Sequence, residues 1–379
     1  MRDDYIPVDE IPDDEDRFAP PMGEPAKQER ASRFFKASTL AGKPVPVRPF
    51  HVPGFIPGRT VTLLNADGGM GKSLIALQLC CATALGRKWL NREVEPGRAL
   101  FISAEDDQDE LHRRLADIAQ AEGIDLRELD ALTLRSLAGE DALLALEVKG
   151  GALKATSLFN EIEKHVTEIE PRIVVLDTLA DLFPGNENDR AQARQFIGLL
   201  RGLAIRFDCA VLLLAHPSLT GINTGTGTSG STAWNNSVRS RLYLERIVSD
   251  GYEPNPDARV LTTKKSNYSR IGGEIRMTWT AGVFIADAPM SAGEAMNAGL
   301  KAERVFLKLL KLFAEQGRDV SAKPSPSYAP KIFAAHPEAE GITKRAFTQA
   351  MEALLRDGKV RIAERGAPSR RVSFLELVE

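Results

Sequence analysis

Cysteine is scarce: three in 379 residues, Cys80, Cys81 and Cys209, each inside an apolar run and none at the spacing of a zinc site or a disulfide framework. Their expected fate is burial. There is no run of eighteen apolar residues, so no membrane-spanning helix is expected and no membrane partner. The N-terminus reads Met1-Arg2-Asp3-Asp4, acids where a secretory signal carries a basic stretch and an apolar core, and the expectation is a cytoplasmic protein. A dominant charge is missing too. With 49 Lys and Arg against 52 Asp and Glu the net charge is −3, which gives no global field for nucleic acid, so any basic surface must be local. Leu, Val, Ile and Phe recur at no fixed long period, which excludes a solenoid or other repeat array.

Hydrophobic residues make up 43% of the chain, enough for a large domain and a smaller one. Residues 1–48 are rich in Asp, Glu and Pro, most acidic at Asp13-Asp14-Glu15-Asp16, and read as a solvated, disordered arm. From residue 49 to 286 the pattern becomes α/β. Short apolar runs at 60–65, 98–103, 131–135, 173–177 and 210–215 read as buried strands. They alternate with helical stretches at 72–86, 107–122, 157–168 and 189–207. That alternation predicts a mostly parallel sheet with helices on both faces. Runs at 240–248, 258–264, 274–279 and 283–286 read as strands extending it as an antiparallel edge. A Pro/Gly/Ala/Ser stretch at 287–299 reads as a linker. Residues 300–379 read as a small winged-helix-like domain, with helices at 301–316 and 343–356 and a hairpin of 359–364 with 370–376.

The strongest chemical signal is Asn65-Ala66-Asp67-Gly68-Gly69-Met70-Gly71-Lys72-Ser73, which follows a predicted strand and opens a predicted helix. That is the setting of a phosphate-binding loop. Glycines at 68, 69 and 71 let successive amides turn toward phosphate oxygens, and the new helix adds its unpaired N–H groups and dipole. The cradle is expected to run from Ala66 through Leu74, with ATP as ligand, Lys72 on the β- and γ-phosphates, and Ser73 on Mg²⁺. The strict pattern has Gly where Ala66 stands, and alanine serves if its backbone stays in an allowed region. Ile173-Val174-Val175-Leu176-Asp177 is an apolar strand ending in a carboxylate, placing Asp177 beside Ser73 as the second magnesium residue. Glu105 closes the strand after the loop's helix and is the candidate to polarise the attacking water. Asp106 and Asp107 are expected to start the next helix, where acids suit the dipole.

A phosphate loop, a glutamate closing the next strand, an Asp-ended strand and then Leu212-Leu213-Leu214-Ala215-His216-Pro217 together resemble the RecA/DnaB superfamily of P-loop ATPases, closest to the plasmid RepA-type hexameric helicases. The resemblance spans about residues 55–286 and implies a RecA-like domain. It also implies a hexameric homo-oligomeric ring and a sensor role for His216. Single-stranded DNA would be gripped by the Gly/Ser/Thr-rich loop at 217–232, which here lacks Lys and Arg. A base acting on a neighbour's γ-phosphate is further implied, with Lys264, Lys265 or Arg270, and competing Arg239 and Arg241, as candidates. The C-terminal domain is locally basic, fifteen Lys and Arg against ten Asp and Glu from Gly299 onward. It is expected to meet duplex DNA or a protein, with 343–356 as reading helix and Arg365, Arg370 and Arg371 as wing contacts. The leading expectation is an ATP-dependent DNA translocase or helicase serving replication of a plasmid, phage or mobile element. A RecA-like DNA-binding ATPase without unwinding activity, acting in recombination or repair, is the alternative, and a regulator that binds ATP without hydrolysis a third reading.

Overall fold

A computed structural model describes residues 34–186, 188–217, 232–248, 252–288, 292–365 and 371–378. Chain contacts separate Met1–Val47 from Arg48–Glu379. In the first unit the described residues 34–47 are exposed and form one short turn, Ala37–Leu40. Of the expected arm at 1–48, residues 1–33 lie outside the described residues.

The second unit opens with a small hairpin, β1 (Phe50–Val52) and β2 (Ile56–Pro57). The chain then follows β3 (Val61–Ala66), α1 (Lys72–Leu85), β4 (Ala99–Ser103), α2 (Gln108–Glu122) and β5 (Leu132–Ser136). A second hairpin, β6 (Ala145–Val148) with β7 (Ala152–Ala155), precedes α3 (Ser157–Ile169), β8 (Ile173–Asp177), α4 (Leu179–Leu182), α5 (Arg190–Arg206) and β9 (Ala210–Ala215). After α6 (Thr232–Ser237) come β10 (Ser240–Arg246), β11 (Ala258–Ser266), β12 (Glu274–Thr280) and β13 (Val283–Ala286).

The central sheet has the order β13-β12-β11-β10-β3-β9-β8-β4-β5. From β10 to β5 all pairings are parallel. Strands β3, β4, β8 and β9 are buried at every position, which is why their sequences are apolar runs without alternation. Their residues still divide by face. Leu64, Phe101, Val175 and Leu212 join α1 and α2 in one core; Leu63, Ile102, Leu176 and Leu213 join α3 and α5 in the other. The α/β class, with helices on both faces, is therefore as expected.

One strand differs. The run at 240–248 was expected at the antiparallel edge, but β10 lies parallel to β3, with Ser240 opposite Thr62 and Leu244 opposite Ala66. The connection from β9, passing through α6, is long enough for the crossover that parallel pairing requires. The antiparallel extension begins at β11.

The C-terminal portion contains α7 (Ala292–Glu315), α8 (Ala329–Ala334), α9 (Lys344–Arg356) and the antiparallel pair β14 (Val360–Arg365) and β15 (Val372–Leu377). Much of the expected linker at 287–299 is the exposed start of α7. Gly293 and Gly299 each disfavour helix by about 1 kcal/mol relative to alanine, too little to break a segment also rich in good helix formers. Phe333, from the short α8 that periodicity did not reveal, stands 4.9 Å from Phe306, 5.4 Å from Phe313 and 6.0 Å from Phe347 between ring centroids. Because these rings join three helices in one core, Phe333→Ala is expected to lower stability by about 3–5 kcal/mol. Urea unfolding followed by circular dichroism measures this, and a loss below about 1 kcal/mol would show that Phe333 is not the centre of that core.

Candidate active site

β3 brings the chain to the carboxyl edge of the sheet, and Met70, 3% exposed, tucks the following loop into the core. Gly69 and Gly71 have φ of 70° and 88°, a region that L side chains enter at a cost. At Gly71, the residue capping α1, a Cβ would also run into the ring of Phe284 on β13. Phe284 is fixed there because its backbone exchanges two hydrogen bonds of 3.0 Å with the side chain of Gln78 on α1. Ala66 needs no such freedom, since it is the last residue of β3, in extended backbone and fully buried. Asp67 and Gly68 follow in the turn, and Lys72, Ser73 and Leu74 start α1, all three buried. No side chain caps the first turn of α1 and no acid lies in it, so its amides and dipole are left to serve an anion.

Three neighbouring strand ends supply the remaining groups. Lys72 Nζ lies 2.9 Å from His216 Nε2, just beyond β9. It lies 3.9 Å from Glu105 Oε2, just beyond β4. His216 Nε2 is in turn 3.5 Å from Glu105 Oε1. An ammonium can only donate, so in this contact Nε2 accepts and the ring proton sits on Nδ1. The three residues singled out for phosphate contact, water activation and sensing thus converge at the mouth of the loop.

Asp177 ends β8 with no solvent exposure, and neither carboxylate oxygen has a partner of hydrogen-bonding geometry among the described residues. Burial pushes its pKa up to about 6, opposed by the Ser73 hydroxyl and the Lys72 charge. A buried carboxylate with unmet acceptors beside a buried serine hydroxyl suits a divalent cation. With two protein ligands, the other positions of an octahedral Mg²⁺ would be filled by phosphate oxygens and water.

The other acids separate. Asp107 caps α2, accepting from Glu110 N at 2.8 Å, as expected. Asp106 is not part of the cap; Arg114 Nη1 donates to its Oδ2 at 2.5 Å, and burial raises its pKa despite that cation. Asp181 on α4 was missed. Its pKa is raised, first by burial and then by Glu105, and a carboxylate one turn past Asp177 carries no motif of its own. Phe284 and Gln78 were missed as well, since their contact joins segments about two hundred residues apart.

The bases proposed to act on a neighbour lie elsewhere. Lys265 Nζ donates to the carbonyls of Asn235 at 2.5 Å and Val238 at 2.9 Å, closing the end of α6. Lys264 pairs with Glu245 at 3.0 Å. Arg241 is buried in β10, and burial lowers its pKa. Arg239 is half-buried, and no side-chain partner is found for it among the described residues. These positions cluster at the start of β10, opposite the early part of β3, more than about 10 Å along the strand from their own phosphate loop. Of the loop at 217–232 only Pro217 and Thr232 are described. Arg365 pairs with Asp319 at 2.5 Å and Arg371 with Glu364 at 3.1 Å, while Arg370 lies outside the described residues. The cysteines are free and buried, and burial lifts the Cys81 and Cys209 thiols to about 12.

An α/β sheet with a glycine-turned anion cradle, a helix-borne Lys-Ser pair and an acid on a neighbouring strand end defines a P-loop nucleoside triphosphatase. The AAA domain family matches residues 26–221, a little over half the chain, and takes in Lys72, Glu105, Asp177 and His216. The chain belongs to that family. Among solved structures, a crystal structure of the RadB recombinase is similar at a TM-score of 0.42 and 15% identity, covering 62% of this chain and 93% of that one. No described helix is long and apolar enough to cross a membrane.

Asp177 gives a signed test. Because its folded pKa is raised, the group's stabilising contribution is complete below its unfolded value of 3.8 and is lost as pH rises through about 6. Without nucleotide, Asp177→Asn is therefore expected to be more stable than the parent at pH 8, by roughly 1–3 kcal/mol, with the gap closing near pH 4. Paired thermal melts at the two pH values check this, and a variant less stable at pH 8 would contradict it.

Proposed function

We propose that this chain is an ATP-driven DNA translocase or helicase of the RepA-like hexameric type, built on a RecA-like domain. The observation that carries the reading is the three-way contact of Lys72, Glu105 and His216 at the phosphate loop, because a protein that only stores a nucleotide has no need of the carboxylate. In this reading the amides of 68–73 and Lys72 hold the β- and γ-phosphates of ATP. Ser73 and Asp177 would hold Mg²⁺, which would supply charge neutralisation at the phosphate oxygens. Glu105 positions the attacking water and accepts its proton. Lys72 has three N–H donors, so a γ-phosphate at its amine would share or compete for the ammonium that now meets His216, and His216 lies just before segment 217–232, proposed here to carry single-stranded DNA.

The reading includes a closed homo-oligomer, since a ring lets successive subunits pass a strand along. The C-terminal helices and hairpin are proposed as its duplex-DNA or protein contact; Arg365 and Arg371 would have to leave Asp319 and Glu364 to serve there.

Two variants test the chemistry. Lys72→Ala is expected to lose nucleotide affinity. Glu105→Gln is expected to bind ATP as the parent does while DNA-stimulated hydrolysis falls about 10²–10⁴-fold. Unchanged turnover in Glu105→Gln would remove that residue from the mechanism. A forked duplex, with each single-stranded tail offered in turn, tests strand separation; hydrolysis without displacement on either fork would favour the DNA-binding ATPase that does not unwind.

A further inference from the structure

Nearly every described arginine has a partner. Among the described residues, Arg190, Arg194, Arg201, Arg239, Arg270 and Arg276 are the ones whose side chains show no ion pair, hydrogen bond or ring contact. Three of these six meet. Arg194 and Arg201 on α5, with Arg239 before β10, line a cavity of about 280 Å³ whose other walls are Ile197, Gly198, Asn236 and Ser237. A second cavity of about 440 Å³ shares Arg201 and Arg239 and continues past Arg48 and Arg59 to Tyr268. Among the described residues no Asp or Glu lines either one; the carboxylate of Asp208 stands beside them, 3.4 Å from Arg59.

The helix geometry opens this groove. Arg194, Gly198 and Arg201 follow the i, i+4, i+7 spacing of one face, so the two arginines leave the helix about 10 Å apart along the axis with no side chain between them at Gly198. A Cβ built on Gly198 meets nothing within 4 Å, so a ligand can approach the backbone there. At the far end, the Tyr268 ring is 37% exposed and carries Arg48 at 3.9 Å from its centroid. Positive charge is already crowded nearby. The Lys265 amine is shifted down by burial and then by Arg239 and Arg241.

We infer that the groove from Arg194 through Arg201 and Arg239 to Tyr268 binds the sugar-phosphate backbone of a single nucleic-acid strand. Guanidinium groups without partners among the described residues suit successive phosphates, and Tyr268, one ring face of which Arg48 covers, ends the groove with an aromatic whose other face a base can meet. The groove also supplies the cations missing from segment 217–232. It assigns Arg239, expected as a base acting on a neighbour's phosphate, to a strand instead. This inference rests on the proposed action on DNA.

The test is binding of a fluorescently labelled single-stranded oligonucleotide, read by anisotropy across a salt series, for the parent and for Arg194→Ala/Arg201→Ala. Loss of two phosphate contacts should weaken binding at least about tenfold at low salt and flatten the log–log salt slope by about 1.4. Arg194→Lys/Arg201→Lys, which keeps the charge, should retain most of the slope, and this separates contact from misfolding. Arg276→Ala, an exposed unpaired arginine on β12 outside the groove, should bind as the parent does. If the parent binds and the alanine double variant shows the same affinity and slope, the groove is rejected while the proposed function stands. If the parent binds no oligonucleotide, the action on DNA fails and the groove with it.

Discussion

The candidate site depends on one tight contact, the Phe284 ring against the left-handed backbone of Gly71. A residue with a Cβ would face both the conformational cost and the ring, so the turn into α1 can be made only by glycine while β13 stays in place. Gln78 holds β13 there through two backbone hydrogen bonds. The outermost strand of the antiparallel edge thereby braces the loop that receives phosphate, and the otherwise remote β11–β13 extension becomes part of the site.

Around that loop the sheet collects charge that a folding core would avoid. Lys72, 6% exposed, and Asp177, with no exposure, are held inside the edge of an apolar sheet. Asp177 carries the cost most plainly, with a pKa raised to about 6 and acceptors unmet among the described residues. Such strain is expected where a fold leaves groups ready for a ligand. The contact between Lys72 and His216 belongs to the same cluster, an ammonium meeting a ring nitrogen 2.9 Å away at the mouth of the phosphate loop.

Most of the sheet was legible because its information is local. Apolar runs such as Ile173–Asp177 and Ala210–Ala215 name buried strands residue for residue, and the glycine spacing before Lys72-Ser73 names the loop. The carboxyl-edge residues Glu105, Asp177 and His216 follow from strand ends in a parallel sheet. What was illegible depends on distant pairing. Nothing in the sequence of β10 says that its partner is β3 rather than an antiparallel neighbour, and Phe284 has no periodic signature linking it to Gly71. Asp106 looked like a helix cap, but Arg114, two turns along, takes it. Ala292–Gly299 looked like a linker because glycine was weighed above the intervening helix formers, and the six-residue α8 is too short for its period to show.

The central claim is a magnesium-dependent phosphate cradle turned by Gly71. Calorimetric titration of the full chain with ATP, with and without Mg²⁺, for the parent and Gly71→Ala, tests it most directly. One nucleotide per chain, weaker binding when Mg²⁺ is withheld, and severe loss in the alanine variant are expected. No ATP binding by the parent, or binding indifferent to both magnesium and a side chain at position 71, would contradict it.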